Sequence, residues 1–222
     1  MLEKRKEKTG MGLGDYVIAE WKSTQKLDTN YQMTLRRKED EFIALLEKNW
    51  GKTFSRGLTP KGDNQFTRTT IMPELFDDHG GTPMTTWRQA FTSIGHMTII
   101  NGVGAGNIIP EDWGVLWTGL AFPNKNQHLT EIKMQIGDRK YGRINLEEMH
   151  QYDVPILIFE EPFAIEEETA FDLYGYIEGE LPHNGPGGAL DTLYQRIVMT
   201  GCAFPKMIDR ALGAVGAAIS ST

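Results

Sequence analysis

Residues 153–180 read DVPILIFEEPFAIEEETAFDLYGYIEGE, and this stretch decides the fold predicted for the chain. Within it, Thr169–Glu178 alternates between apolar and polar side chains. Because successive side chains of a strand point to opposite faces, the alternation predicts a half-buried antiparallel strand. We expect Phe171, Leu173 and Tyr176 to lie on its buried side.

Two shorter extended segments precede that strand. The apolar run Pro155–Glu160 predicts one of them, Glu161-Pro162 predicts a break, and Phe163–Glu166 predicts the other. A later run, Leu193–Phe204 (LYQRIVMTGCAF), also has the length and composition of a strand. We expect this later run to pair with residues 153–180, so that the second half of the chain is built around an antiparallel sheet.

The β pattern begins well before residue 153. Further strands are predicted at His96–Ile100, Trp113–Ala121, Leu129–Ile136 and Arg139–Leu146, with a turn at Gly137-Asp138. About seven or eight short strands separated by turn residues are typical of an antiparallel β-sandwich. We therefore predict a mainly β fold, a jelly-roll-like sandwich with an α-helical N-terminal arm and a short C-terminal helix or tail.

Helical periodicity is strongest over Thr34–Trp50, where apolar residues recur on one side and Gly51 follows as a stop. Weaker patterns predict short helices within Gly14–Lys26 and at Thr86–Phe91. Two uses of the long helix stay open. Its apolar side either packs in the core of its own chain or docks as an arm on another subunit.

Composition divides the chain into three parts. Residues 1–90 are predicted to form a helical and loop-rich N-terminal arm, residues 91–206 a β-sandwich domain, and residues 207–222 an apolar C-terminal tail. An apolar tail is rarely left uncovered. The alternatives are that it completes its own domain's core, inserts into a neighbouring copy, or lies against a membrane that it is too short to span.

Composition also bounds the class of protein. A hydrophobic content of 40% and 24 glycines argue against both a membrane protein and a disordered chain. The sequence has no apolar run of transmembrane length, and its first residues lack the apolar core of a secretory signal. We expect a cytoplasmic location unless the protein belongs to a virion.

Charge is distributed unevenly along the chain. Residues 1–70 carry a net charge of +4, whereas the whole chain carries −7 and the remaining residues therefore −11. An ordinary soluble surface explains this asymmetry, and the alternative is a basic arm that contacts the acidic body of a neighbouring copy. The basic excess is too small to favour nucleic acid as a specific partner.

Signatures of the common enzyme classes are missing from the sequence, which has no G-x-S-x-G, Walker-type lysine loop, C-x-x-C or H-E-x-x-H. The glycines of Asn101–Asn107 (NGVGAGN) predict a loop, because the following Ile108-Ile109-Pro110 is a poor helix start for a phosphate site. Cys202 is the single cysteine and is predicted to be a small buried residue. We predict no catalytic, cofactor-binding or metal-binding residue and no cofactor.

Two groups of residues keep a metal site open as an alternative. Asp77, Asp78 and His79 are adjacent in a loop, a spacing that rarely converges on one ion. The second group combines histidines with acids near the predicted strands, and consists of His150, His183, Glu160, Glu161 and Glu178. A cupin-like sandwich brings such side chains together, so this group is the basis of a metal-dependent enzyme alternative.

Other acids and two tryptophans also have two explanations each. A set of acids flanks the apolar strands, where charge blocks unwanted sheet pairing or, alternatively, a carboxylate pair hydrolyses glycosides: Glu160, Glu161, Glu166, Glu167 and Glu168. Trp113 and Trp117 share a strand face and either pack in the core or stack on a sugar. With the loop Leu181–Ala189 (LPHNGPGGA), they are the basis of a carbohydrate- or receptor-binding alternative.

Four segments between residues 109 and 207 share a recognisable cadence: IPEDWGVLWTGLAF, GDRKYGRINLEE, VPILIFEEPFAIEEETAFDLYGYI and YQRIVMTGCAFPK. The cadence resembles that of the single jelly-roll structural proteins, capsid and turret proteins, of tailless icosahedral viruses, including archaeal viruses. The resemblance covers less than half of the chain. It implies a virion or shell component that acts by self-association and has no catalytic residues.

The function predicted from these observations is that of a non-enzymatic structural protein. We expect it to assemble with copies of itself, and with other shell proteins, into a larger shell or virion-like particle. A membrane contact is expected, if anywhere, through the C-terminal tail.

Overall fold

The computed structural model describes residues 16–20, 29–56, 64–103, 106–123, 128–178 and 192–206, which contain one α-helix, fifteen strands and two 3-10 helices, Pro73–Leu75 and Glu147–Gln151. The helix, α1, spans Thr29–Trp50. The strands are β1 Tyr16–Glu20, β2 Thr53–Phe54, β3 Gln65–Phe66, β4 Thr69–Thr70, β5 Phe76–Asp77, β6 Arg88–Phe91, β7 Gly95–Gly102, β8 Trp113–Ala121, β9 Leu129–Ile136, β10 Arg139–Lys140, β11 Ile144–Asn145, β12 Pro155–Ile165, β13 Phe171–Ile177, β14 Leu193–Arg196 and β15 Val198–Pro205.

The main strands form two antiparallel sheets. Sheet 1 has the order β1-β12-β8-β15-β4, and sheet 2 has the order β10-β9-β13-β7-β5 with β11 also beside β9. Two small ladders, β14 with β6 and the parallel pair β2 with β3, lie outside these sheets. The six long strands β7, β8, β9, β12, β13 and β15 alternate between the two sheets in chain order. This confirms the predicted jelly-roll-like sandwich.

The core between the sheets is centred on Trp117 of β8, which is fully buried. Its ring meets Phe159 of sheet 1 and Phe171 of sheet 2 edge-on, at centroid distances of 4.8 and 5.3 Å. Its Nε1 donates a 2.7 Å hydrogen bond to the carbonyl oxygen of Gly119. Edge-to-face aromatic pairs contribute about 0.5–1.5 kcal/mol beyond their area burial, so this cluster ties the two sheets together.

Helix α1 covers the outer face of sheet 1. Its buried residues form one cluster with side chains of the sheet and of β3, and this cluster comprises Phe42, Leu46, Trp50, Phe66, Leu116 and Phe204. A Cβ atom on Gly114 would lie 3.0 Å from both Leu46 Cδ1 and Phe42 Cζ, so the glycine gives the helix room to approach. Of the two uses predicted for the helix, packing in the core of its own chain is confirmed.

The first half of α1 packs at the other end of the same face. Tyr31 lies against a small cluster formed by Ala121, Ile156 and Ile158. This burial raises the pKa of Tyr31 to about 12, because the phenolate loses its hydration.

Basic residues on α1 also meet the acidic sheet within one molecule. Arg37 and Lys38 lie 3.8 and 3.6 Å from carboxylate oxygens of Glu161. Arg37 and Glu161 are exposed and Lys38 is half-buried, so each pair is screened by solvent and contributes little to stability. The contact nevertheless shows that basic residues of the N-terminal part meet an acidic residue of the later part within one chain.

Two predicted helices are strands. The segment Gly14–Lys26 contains β1, whose five residues pair with Phe159–Pro155 of β12, and Thr86–Phe91 contains β6, which pairs with β14. In both cases the strand partner lies more than a hundred residues away in sequence. Pairing with a distant strand therefore overrides a weak local helix pattern.

Strand boundaries in the second half also differ from the predictions. Pro155–Ile165 is one continuous strand, because an irregularity between Ile158 and Phe163 absorbs the predicted break at Glu161-Pro162. Conversely, Arg139–Leu146 contains two short strands, β10 and β11, instead of one.

The run Leu193–Phe204 is likewise divided, at Ile197, into β14 and β15. Strand β15 pairs with β8 and β4 and not, as predicted, with residues 153–180. Strand β8 separates β15 from β12, because it is the middle strand of sheet 1.

Tyr176 of β13 faces outward, whereas the sequence predicts it on the buried side of the strand. Phe171, Leu173, Gly175 and Ile177 are buried, whereas Tyr176 is half-buried on the outward face. The strict alternation of the strand places Gly175 inward, where a Cβ atom would lie 2.5 Å from Leu129 Cδ1. The prediction for Tyr176 is wrong because Gly175, which faces inward, interrupts the alternation of apolar side chains along the strand.

Residues 1–15 of the predicted N-terminal arm and the predicted apolar tail 207–222 lie outside the described ranges. The loop-rich segment predicted within residues 1–90 contributes the short strands β2 to β6, of which β4 joins sheet 1 and β5 joins sheet 2.

The packing of α1 yields a stability prediction. Leu46→Ala leaves a cavity beside Phe42 and Leu116, so we expect the free energy of unfolding to fall by about 2–5 kcal/mol. Met33→Ala is the matched control on the same helix, because Met33 is 64% exposed, and its effect should stay within about 0.5 kcal/mol. Urea unfolding followed by tryptophan fluorescence measures both, and equal effects would contradict the packing described here.

Candidate functional site

The outward face of sheet 2 carries polar and aromatic side chains. Tyr174 and Tyr176 of β13 stand there beside their partners on the neighbouring strands, in two rows: Thr98–Tyr174–Lys133 and His96–Tyr176–Glu131. The rings of His96 and Tyr176 have their centroids 4.6 Å apart. We call these six residues the tyrosine face.

A shallow depression lies on the tyrosine face, with a volume of about 170 Å³. Its wall includes Lys133 and the ion pair of Arg143 with Glu131, whose charged atoms are 3.2 Å apart. Desolvation, followed by the neighbouring charge of Asp172, raises the pKa of Tyr174, so its hydroxyl stays protonated as a donor. Aromatic rings next to paired charged groups can bind a flat ligand that carries polar groups.

A third row on the same outward surface consists of Asp77, Asn101 and Asp172, which are register partners across β5, β7 and β13. Asn107, from the loop after β7, inserts between two of them: Asn101 Nδ2 donates to Asn107 Oδ1 at 2.9 Å, and Asn107 Nδ2 donates to Asp172 Oδ1 at 3.1 Å. We call these four residues the polar row. Sequence reasoning missed it, because it depends on strand register.

A second polar cluster joins the end of α1 to the sandwich. Glu167 accepts hydrogen bonds from Trp50 Nε1 and from the backbone N–H of Asp112, each at 2.9 Å. Lys206 Nζ lies 3.3 Å from Asp112 Oδ1 and 3.8 Å from Glu167 Oε2. Asn49 adds a 2.8 Å hydrogen bond to Glu166. The cluster is a clamp that holds the helix to the sheet.

A groove of about 400 Å³ lies between α1 and the segments that contain Phe54–Arg56 and Thr67–Arg68. Its charged lining is mixed, since Arg68 pairs with Glu39 at 2.7 Å and Arg36, Asp40 and Arg56 lie exposed around them. Mixed signs give this groove no clear preference for an anionic or cationic ligand.

The structure separates the three residues of the predicted metal triplet. Asp77 belongs to the polar row, and Asp78 Oδ1 accepts the backbone N–H groups of Gly80 and Thr82, at 2.8 and 3.0 Å, to close a turn. The ring of His79 lies against Phe91, with centroids 4.9 Å apart. These contacts are those of a structural turn.

The second metal group is only partly described. His183 and the side chain of His150 lie outside the described residues, as does the loop Leu181–Ala189. Of the acids, Glu161 meets α1 and Glu178 is exposed after β13. Across the described residues, no group of three or more His, Cys, Asp or Glu side chains converges as a metal site would. The metal-dependent enzyme alternative therefore stays a prediction.

Three other sequence candidates are structural. Trp117 is fully buried and half-buried Trp113 packs against the same core, so neither forms an open sugar platform. Gly102 lies where a Cβ atom would be 2.4 Å from the backbone of Ile108, which fits a tight loop after β7. Cys202 is half-buried and not fully buried as predicted, and its desolvation raises the pKa of the thiol, which disfavours the reactive thiolate.

The acids that flank the strands have a use that the sequence did not indicate. Glu166 and Glu167 hold the end of α1, whereas Glu168 is exposed in a left-handed turn with φ of 57°. Their hydrogen-bond partners lie 55 to 117 residues away in sequence, so no local pattern reveals them.

Comparisons of the chain with protein-family models, with curated proteins and with solved structures find no match in any of the three. In the described part of the chain, no helix has both the length and the apolar character needed to cross a membrane.

The clamp yields a test of its role. Glu167→Gln turns one acceptor oxygen into a donor facing the N–H of Trp50 or Asp112, so we expect unfolding free energy to fall by about 1–3 kcal/mol. Glu168→Gln removes the same charge one residue later, from an exposed side chain, and should change it by less than about 0.5 kcal/mol. Thermal unfolding followed by circular dichroism compares the two. A Glu167→Gln protein as stable as the control would show that the clamp contributes nothing.

Proposed function

We propose that this protein is a non-enzymatic structural protein that assembles with copies of itself, and with other shell proteins, into a shell or virion-like particle. The jelly-roll strand order and the resemblance of its second half to viral jelly-roll proteins support the proposal. The observation that carries it is the character of β1 at the edge of sheet 1.

Strand β1 is an outer strand of sheet 1, and the 3-10 helix Glu147–Gln151 lies near it. The strand pairs with β12 on one side, and among the described strands none pairs with its other side. Its sequence, YVIAE, contains no Pro and no Lys, and its register with β12 has no bulge. Natural edge strands usually carry such features because an open row of N–H and C=O groups templates pairing with another chain. An edge without them suits a strand that meets a second copy.

The first and the last described strands, β1 and β15, both belong to sheet 1. Residues 1–15 lead into β1, and residues 207–222 follow β15 and Lys206. In a symmetric assembly each arm that a subunit gives is matched by one that it receives, so extensions from a sheet edge reinforce contacts effectively. The apolar composition of residues 207–222 makes them the second proposed contact, with a neighbouring copy or with a membrane.

Size-exclusion chromatography with light scattering, supported by electron microscopy, tests this function. We expect the full chain to form a discrete assembly, and Val17→Lys to dissociate it, because lysine on an edge strand opposes further pairing. Thr70→Lys is the matched control, since it places the same charge on β4 at the opposite edge of sheet 1, where Thr70 is exposed. Deleting residues 207–222 tests the second contact.

A deletion at the N-terminus has to end before β1. A deletion that extended into α1 would expose Leu116 and Phe204, so a loss of assembly could then result from unfolding of the sandwich. Removal of residues 1–15 avoids this, and circular dichroism checks that the sandwich is retained. A full chain that stays monomeric at every concentration would refute the proposed function.

A second candidate function is a carbohydrate- or receptor-binding module, and the tyrosine face favours it. Its neighbouring His96 and Tyr176 rings, which are tilted by 42° to each other, and the adjacent Glu131–Arg143 pair offer both a ring surface and hydrogen-bonding groups. Sugars are bound by this combination of aromatic stacking and planar polar side chains.

A glycan array tests that second function. If it is correct, the wild-type protein binds a defined set of glycans, and Tyr176→Ala reduces the signal by about tenfold or more, as the loss of about 1–2 kcal/mol of stacking requires. Tyr194→Ala is the control, because Tyr194 is an exposed tyrosine on β14, away from the face. The absence of binding, or equal loss in both variants, would exclude this role for the tyrosine face.

A further inference from the structure

The polar row contains an unmatched pair of buried oxygens. Asp77 and Asn101 are direct register partners on β5 and β7, so their side chains stand next to each other on the same face. Asp77 Oδ1 and Asn101 Oδ1 are both buried and have no hydrogen-bond partner among the described residues. Asn101 as a whole is only 8% exposed. Two acceptors placed together without a donor are unfavourable, because each has lost its water.

The far end of the row is fully satisfied. Asp172 Oδ1 accepts from Asn107 Nδ2 at 3.1 Å, and the Tyr174 hydroxyl also hydrogen-bonds to Asp172. The positive φ of Asn107, 56°, holds its amide between Asn101 and Asp172. The unmatched acceptors therefore lie at one place, between Asp77 and Asn101.

Rotating the amides does not remove the problem. The row runs Asp77, Asn101, Asn107, Asp172, with a carboxyl group at each end and two amides between them. Each amide turns its nitrogen to one neighbour and its oxygen to the other. The row has three contacts and only two amide nitrogens to serve them, so one contact brings two acceptors together. A cation, or a donor that serves both oxygens, is needed at that contact.

We propose that a hard divalent cation of the Ca²⁺ type binds between Asp77 and Asn101, with Asp77 Oδ1 and Asn101 Oδ1 as its protein ligands. A carboxylate and an amide oxygen are ligands that Ca²⁺ accepts, whereas a site without thiolate or imidazole does not favour zinc or copper. Asp77 as a whole is only half-buried, so water completes the coordination from the solvent side, because Ca²⁺ takes six to eight oxygens. With so few protein ligands, we expect a Kd of about 10⁻⁴–10⁻³ M.

The site lies where a cation would change the structure locally. Strand β5 is the two-residue edge of sheet 2, and Asp77 also forms an isolated bridge with Pro83 across the turn that Asp78 closes. A cation shared by β5 and β7 would fasten this edge strand and its turn to the sheet. The inference is independent of self-assembly and is testable on the protein in any oligomeric state.

Isothermal titration calorimetry and thermal unfolding of the full chain with CaCl₂ test the site. We expect calcium to bind and, at ten times Kd, to raise Tm by about 3–6 °C. Asp77→Asn should lose this response, because it removes the charged ligand, and its own Nδ2 supplies the missing donor to Asn101 Oδ1. The variant without calcium should therefore be at least as stable as the calcium-free wild type.

Asp78→Asn is the matched control. It removes the same charge from the adjacent residue but keeps the Oδ1 atom that closes the turn, so calcium binding should weaken by no more than a few fold. The same calcium response in Asp77→Asn as in the wild type would overturn the proposal. So would a wild-type protein that does not bind calcium, and this measurement stands even if the variants do not fold.

The proposal would also be overturned by a wild-type protein that does not bind calcium and whose free energy of unfolding increases at acidic pH. Desolvation, followed by the charge of Asp78, raises the pKa of Asp77 in the folded protein, so a proton on Asp77 is the rival species for the same contact. That stabilisation is present below the ordinary pKa of Asp and is lost as pH rises through the raised value. Acid-dependent stability without calcium binding would assign the contact to the proton.

Discussion

The rest of the structure depends on the burial of β8 on both of its faces. One face supplies Trp117 to the core between the sheets, and the other supplies Leu116 to the cluster beneath α1. A strand that is buried on both faces needs a hydrogen-bonded strand on each edge and an element packed against each face. Strands β12 and β15 flank it, sheet 2 covers one face, and α1 covers the other.

Close packing around β8 explains two glycines that no local turn requires. A Cβ atom on Gly119 would lie 2.0 Å from the carbonyl oxygen of Leu157, and one on Gly201 would lie 2.1 Å from that of Leu116. Gly201 also has φ of 139°, in the region that side chains avoid. Both positions lie at the irregular pairing around Thr118, so the middle of sheet 1 is fixed by backbone contact as well as by side chains.

This arrangement divides the surface between the two sheets. Because α1 already occupies the outer face of sheet 1, that face has its apolar partner within the chain. Sheet 1 can then meet another molecule mainly through its edges, of which β1 is the longer and β4 has only two residues. Among the described residues, the outward face of sheet 2 is polar, and the tyrosine face and the polar row both lie there. An edge for assembly and a face for ligands are thus compatible roles on one sandwich.

How far the sequence predicts this structure depends on the range of the interactions involved. Strands β8 and β9 have their predicted bounds, and α1 ends at Trp50 as Gly51 indicates, because alternation, helical period and a helix stop are local signals. Strands β1 and β6 were predicted as helices because only a distant partner makes them strands. The polar row depends on more than one distant pairing. It requires the register of β5, β7 and β13 together, and a slip of one residue would turn Asn101 to the opposite face of the sheet. The row is therefore a property of the pairing pattern, and the donor that it lacks becomes visible only once the four side chains are placed together.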